Sequence, residues 1–149
     1  MTREMLMRAA LEQAKLALSA GEVPVGAVVE CGGEIIACAH NERERSQDPT
    51  AHAEVLAIRR AAKRLGRRRL SGCTLYVTLE PCPMCAGAAA MSGLDGVVFG
   101  AYDDRAGCAG SVYALAEDPA FGAGVICEGG LLIEACEALL QGFFEDRRA

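Results

Sequence analysis

The chain has 149 residues, is 52% hydrophobic and 23% charged, and carries a net charge of −5. This length allows a single domain over 1–149 with a true core, and the composition excludes a disordered chain. The acidic balance argues against a surface that binds nucleic acid everywhere, and the high apolar share points to surface hidden in a partner, most simply a homodimer.

Thr2 to Ala20 reads as an amphipathic helix, with Leu6, Ala10, Ala14 and Ala17 on one face and Gly21 at its end. Glu4, Arg8, Glu12 and Lys15 interrupt its apolar stretches. It therefore lacks the run of roughly 7–15 apolar residues of a signal peptide and the about 20 of a membrane span. The expectation is a cytoplasmic protein with no membrane partner. In that setting the eight cysteines are core residues or metal ligands, not disulfides.

"VGAVVE" (Val25–Glu30), a "CGG" turn and "EIIACAH" (Glu34–His40) form a hairpin pattern. Asn41 to Gln47 reads as a polar loop. "DPT" (Asp48–Thr50) then offers helix-start chemistry for a helix over about Ala51–Leu65. "TLYVTL" (Thr74–Leu79) reads as a strand, Pro83–Met91 as a helix stopped by Gly93, and "GVVFGA" (Gly96–Ala101) as another strand. "YDDRAGCAGS" is loop-like, Val112–Glu117 suggests a short helix, "GVICEGG" a last strand, and Leu132–Phe144 a C-terminal helix. Strands alternating with helices after an opening hairpin predict an α/β sandwich around a mixed five-stranded sheet. Most of the positive charge lies between Asn41 and Arg69. That segment is either a solvated helix face or a phosphate-binding patch.

Chemistry concentrates at two points. Cys82 and Cys85 stand at the start of a helix, with a spacing that brings both sulfurs to one side of its first turn. Such a pair suits a tetrahedral zinc ion, and the positive end of the helix eases thiol ionisation. A redox dithiol or two core cysteines would also fit the pair alone. His52 begins another helix and has Glu54 two residues on. Residues at i and i+2 do not share a helix flank, so the two converge only on an object near the helix end. His52, Cys82 and Cys85 supply three ligands, whereas a structural zinc site usually has four, so an open position for water is expected. The remaining cysteines read as small buried hydrophobes, with Cys73 and Cys108 the candidates for a fourth ligand. Two thiolates cancel the charge of the ion, so a nearby base must help ionise the water. Glu54 is placed for that role, with Glu80 as its rival and otherwise a brace for the turn.

His52–Ala53–Glu54 and Pro81–Cys82–Pro83–Met84–Cys85 match the H-x-E…P-C-x-x-C signature of the zinc deaminases. Together with "EVPVGAVV", "DPTAHAEVLAIR", "LYVTLEPCPMCAGA", "VVFGAYDDRAGCAGS" and "LLQGFF", they make the chain resemble the bacterial tRNA-specific adenosine deaminases from Glu22 to Phe144. The resemblance implies a three-layer α/β/α, cytidine deaminase-like fold and a homodimer with its active site near the interface. It implies one zinc ion per subunit and conversion of the wobble adenosine of a tRNA anticodon stem-loop to inosine. It also implies roles: Glu54 shuttles the proton, Asn41 and Val25 form the base pocket, and Asp103 lies near the sugar and backbone of the target nucleotide. The base is flipped into the pocket from a loop that already leaves it unpaired. Two departures from the family pattern are the lack of an arginine near Gly93 in sequence and a short basic tail after Phe144, where Glu145 and Asp146 precede Arg147 and Arg148. The alternatives are a deaminase of a free base or nucleotide, of guanine or cytosine type, and a non-enzymatic zinc or redox module.

Overall fold

The structure is a computed structural model that describes residues 1–121 and 124–148. Its elements are α1 (Arg3–Ser19), β1 (Gly26–Cys31), β2 (Glu34–His40), α2 (Arg43–Ser46), α3 (Ala53–Leu65), β3 (Cys73–Leu79), α4 (Pro83–Ser92), β4 (Gly96–Ala101), β5 (Ile126–Glu128) and α5 (Ile133–Arg148). The sheet order is β2-β1-β3-β4-β5. β1 is antiparallel to both β2 and β3, while β3–β4 and β4–β5 are parallel. The expected mixed sheet of five strands is therefore present.

Strand alternation explains the layers. Val28, Tyr76 and Val98 are register partners across β1, β3 and β4, and they pack with Leu6, Met7, Ala10 and Leu11 of α1 and Cys136 of α5. The next residues along the strands turn the other way. Ala27–Val77–Phe99 and Val29–Leu75–Val97 face Ala53, Ala57 and Ala61 of α3 and Ala89 of α4. A period of two in three adjacent strands thus gives one apolar face to each helix layer. The helix faces are largely alanine, which lets them lie close to the sheet. Gly26 marks the tightest approach, because a Cβ there would overlap the backbone of Ala10 and Ala14 in α1. Among the described residues no helix is long and apolar enough to cross a membrane.

The structure corrects several local expectations. The polar segment after Asn41 contains a helical turn, α2. The buried Glu22 carboxylate accepts hydrogen bonds from the Glu44 and Arg45 amides at 3.0 and 2.6 Å, giving this turn a cap from a distant part of the chain. Asp48 does not cap α3. Its carboxylate bonds the amide and hydroxyl of Thr50 at 2.8 and 2.7 Å, and the N-cap of α3 is His52. Val112–Glu117 is not helical. Its amides are engaged by earlier residues, Val112 with the Gly107 carbonyl at 2.9 Å and Ala116 with that of Cys108 at 3.3 Å. Residues 122 and 123 lie outside the described residues, and the last strand is limited to Ile126–Glu128.

The basic segment is partly structural. Arg60 donates to the Cys38 carbonyl at 2.9 Å, Arg64 to that of Ile36 at 3.2 Å, and Arg67 to those of Arg69 and Ser71 at 2.6 and 3.1 Å. Arg69 folds against Gly93, so an arginine stands near that position in space although not in sequence.

Candidate active site

The parallel strands β3 and β4 end at Leu79 and Ala101, and the chain leaves both at the same edge of the sheet. β1 begins there and β2 ends there, because both run antiparallel to the pair beside them or to each other. This edge therefore gathers Val25 before β1, Asn41 after β2, Cys82 after β3 and Asp103 after β4. Ligand crevices of α/β sheets form at such carboxyl ends.

α3 and α4 start at this edge with His52 and Cys82 as their N-caps. Neither side chain caps its own helix. Pro83 follows Cys82 in the first turn of α4, where its missing N–H is no loss and its fixed φ presets the helix. Cys85 lies one short step into α4 and is fully buried. The two sulfurs converge on one nitrogen: His52 Nδ1 lies 3.6 Å from Cys82 Sγ and 3.5 Å from Cys85 Sγ. A ring nitrogen carries either one proton or one lone pair, so it cannot serve both sulfurs equally as a hydrogen-bond partner. A shared ion can. The three ligand atoms lie within 4.8 Å of one another and form a group that could hold a metal ion; neither Cys73 nor Cys108 belongs to it. The hydrogen bond from Cys85, and then the one from His52, draw the Cys82 thiol well below its usual range, against burial, which opposes ionisation. His52 is raised, chiefly by its bond with Cys82.

Glu54 is buried in the first turn of α3. Burial pushes its carboxyl up to about 7, with the charge of His52 acting in the opposite direction. Glu80 lines the same cavity as Glu54 but is bonded differently. Its two oxygens accept from the amides of Asp103 at 3.0 Å, Ala109 at 3.1 Å and Ser111 at 3.0 Å, and from the Ser111 hydroxyl.

Val25, Asn41, His52, Glu54, Cys82 and Asp103 all line one cavity of about 200 Å³. Asn41 is held in place on both sides of its amide, donating to the Val23 carbonyl at 3.4 Å and accepting from the Arg43 amide at 3.2 Å. The cavity is smaller than the roughly 300–1,000 Å³ of drug-sized sites, which suits one small planar group. It adjoins a larger groove of about 690 Å³ with which it shares Val23, Leu79, Asp103 and Ala106; Tyr102 and Phe144 line the groove farther out. Arg43, Leu79 and Ala106 are wall residues that sequence reasoning missed. Only Arg43 carried a signal, as part of the basic segment.

The sheet, the flanking helices and the ligand group are those of a deaminase with the cytidine deaminase-like fold, and the protein-family model for MafB19-like deaminases matches residues 1–147. A tRNA-specific adenosine deaminase of Bacillus subtilis is 50% identical over 145 residues, covering 97% of this chain and 90% of the relative. A solved structure from a study of A-to-I editing by tRNA:A34 deaminases superposes with a TM-score of 0.89 at 37% identity, over 93% of this chain and 100% of the other. A guanine deaminase from Nitrosomonas europaea superposes with a TM-score of 0.82 at 28% identity, over 95% and 84% of the two chains. This chain belongs to the tRNA-specific adenosine deaminase family.

Proposed function

We propose that the chain hydrolyses the exocyclic amine of the wobble adenosine in a tRNA anticodon loop. Water adds at C6 of the base, ammonia departs, and inosine remains. The observation that carries this reading is the small cavity walled by His52, Glu54 and Cys82 that opens past Asp103 into a groove more than large enough for flanking nucleotides. A free base would need the cavity alone.

His52, Cys82 and Cys85 would hold a zinc ion. With Zn–N bonds of about 2.0–2.1 Å and Zn–S bonds of about 2.3 Å, a tetrahedral ion sets nitrogen and sulfur about 3.5–3.6 Å apart. The observed separations of 3.5 and 3.6 Å fit it. When bound, zinc supplies a Lewis acid that acidifies water for attack on the base.

Glu54 takes one proton from the attacking water and gives it to N1 of the ring, then takes the proton of the new C6 hydroxyl and gives it to the departing amine, so that ammonia leaves and the C6 carbonyl of inosine forms. A carboxyl buried enough to titrate near neutrality can do each of these at physiological pH. Glu80 is unsuited to the task, because four donors already occupy its oxygens. Val25 and Asn41 orient the base, and Asp103 stands where the cavity meets the groove, suited to the nucleotide's sugar and backbone. Arg43 adds positive charge for a phosphate. We further infer a homodimer in a cytoplasmic setting. Met91 on α4, Tyr113 and Ile126 are 78%, 70% and 66% exposed, and a second copy of the chain would cover such side chains.

Ammonia release from an anticodon stem-loop containing the wobble adenosine tests the reading. It should exceed release from free adenosine, guanine or cytosine; the opposite ranking would assign the cavity to a free base.

A further inference from the structure

We propose that Glu80 is a positioning residue for substrate recognition: its carboxylate holds residues 103–111 in the shape that walls the cavity and its opening into the groove, and it takes no part in proton transfer. The proposal rests on the reading that an extended nucleic-acid substrate occupies both spaces.

Glu80 is 1% exposed, in the short connection between β3 and α4. A buried carboxylate requires compensation, and here every donor on its side chain comes from one segment. Oε1 takes the Asp103 amide and the Ser111 hydroxyl; Oε2 takes the Ala109 and Ser111 amides. The two ends of the segment, Asp103 and Ser111, are thereby tied to one side chain. Burial opposes the charge, and these four bonds compensate for it. The segment has no helix or strand of its own. Its internal bonds are local: Asp103 Oδ1 accepts from the Arg105 and Ala106 amides at 3.0 and 3.1 Å, and the Asp103 carbonyl accepts from Gly107 at 2.9 Å.

Gly107 completes the arrangement. It packs directly on the Glu80 carboxyl, and a Cβ there would overlap both that group and the Asp103 carbonyl. Carboxylate and glycine form a matched pair, one supplying acceptors and the other leaving room for them. The segment they fix presents Asp103 and Ala106 to the cavity and to the groove alike. Disturbing the pair should therefore change how a long substrate is seated more than how its bound base reacts.

The test compares full-length wild type with E80Q and G107A. Gln has the same shape, but its amide nitrogen cannot accept, so at least one backbone donor loses its partner. Bound zinc, amide hydrogen exchange across 103–111, and KM and kcat on the anticodon stem-loop are measured. The expected result for both variants is unchanged zinc, exchange about tenfold faster at Asp103, Ala109 and Ser111, KM raised about tenfold, and kcat within about twofold of wild type. Unchanged exchange and KM would overturn the proposal. So would a fall in kcat at constant KM, which would place Glu80 in the chemistry, or a loss of zinc, which would make it a support for Cys82. If E80Q does not fold, G107A decides by the same criteria. If wild type ignores the stem-loop, the functional reading fails, while the exchange rates still judge the hold of Glu80 on the segment.

Discussion

His52 and Cys82 are both N-cap residues, 30 positions apart in the chain, and His52 Nδ1 lies 3.6 Å from Cys82 Sγ. An N-cap side chain usually bonds an amide of its own first turn, but neither of these does so. Both are directed at a common point instead, where Cys85 joins them at 3.5 Å from the same nitrogen. Two helix starts are thus joined through their side chains.

Cys82→Ala should lower bound zinc from about one equivalent per chain toward none, because two protein ligands hold the ion far less well than three. Metal analysis of the purified variant checks this. A variant with full zinc content would show that His52 and Cys85 bind without Cys82.

Glu54→Ala should keep its zinc and its fold yet lose turnover by roughly 10²–10⁴-fold, the usual contribution of a general acid–base. The removed carboxyl is buried and its replacement is apolar, so unfolding should remain cooperative. Single-turnover rates with saturating stem-loop give the answer, and near wild-type rates would remove Glu54 from the mechanism.

A chelator that strips the protein should abolish deamination, and zinc added back should restore it. Magnesium should not, since sulfur and imidazole donors suit zinc and not a hard cation. Activity that persists in metal-free protein would contradict the assignment of the site.

Glu22→Ala should destabilise the fold by about 1–3 kcal/mol, because the Glu44 and Arg45 amides lose a buried acceptor. Urea unfolding measures the loss. The same variant should bind substrate more weakly, since α2 follows directly on Asn41 at the cavity wall.

Gly26→Ala should also cost stability, by about 1–3 kcal/mol, through overlap with the α1 backbone at Ala10 and Ala14. Thermal unfolding reports it as a Tm several degrees lower. An unchanged Tm would mean that α1 shifts without cost.

The ligand group was legible in the sequence because its members fall in two short, punctuated motifs. Pro81 and Pro83 mark one helix start, and Glu54 lies two residues from His52. The strands were legible for a related reason: β-branched runs between glycines and prolines give a local signal. Features set by one particular hydrogen bond were not. Glu22 caps a turn more than 20 positions away, and nothing in "SAGEV" announces it. Val112–Glu117 has helical composition, but earlier carbonyls engage its amides. Asp48 and Thr50 have cap chemistry and use it on each other. For Glu22 a tertiary partner decided, and in the other two cases a competing bond within the same stretch of chain decided, among conformations that local propensity left nearly equal.

The separation between ligand group and loop 103–111 has a consequence for how this scaffold can change. His52, Cys82 and Cys85 sit on helix starts pressed against a close-fitted, alanine-rich interior, whereas Asp103 and Ala106 ride on a segment without helix or strand, tied down by the Glu80 carboxylate and by the Cys108 amide on the Pro81 carbonyl at 2.8 Å. On the proposed role of that segment, replacements at its exposed positions Asp104 and Arg105 should change what the enzyme accepts, while Gly107 and the buried Cys108 should stay fixed. For directed evolution, libraries confined to those two exposed positions should yield altered selectivity at little risk to metal loading.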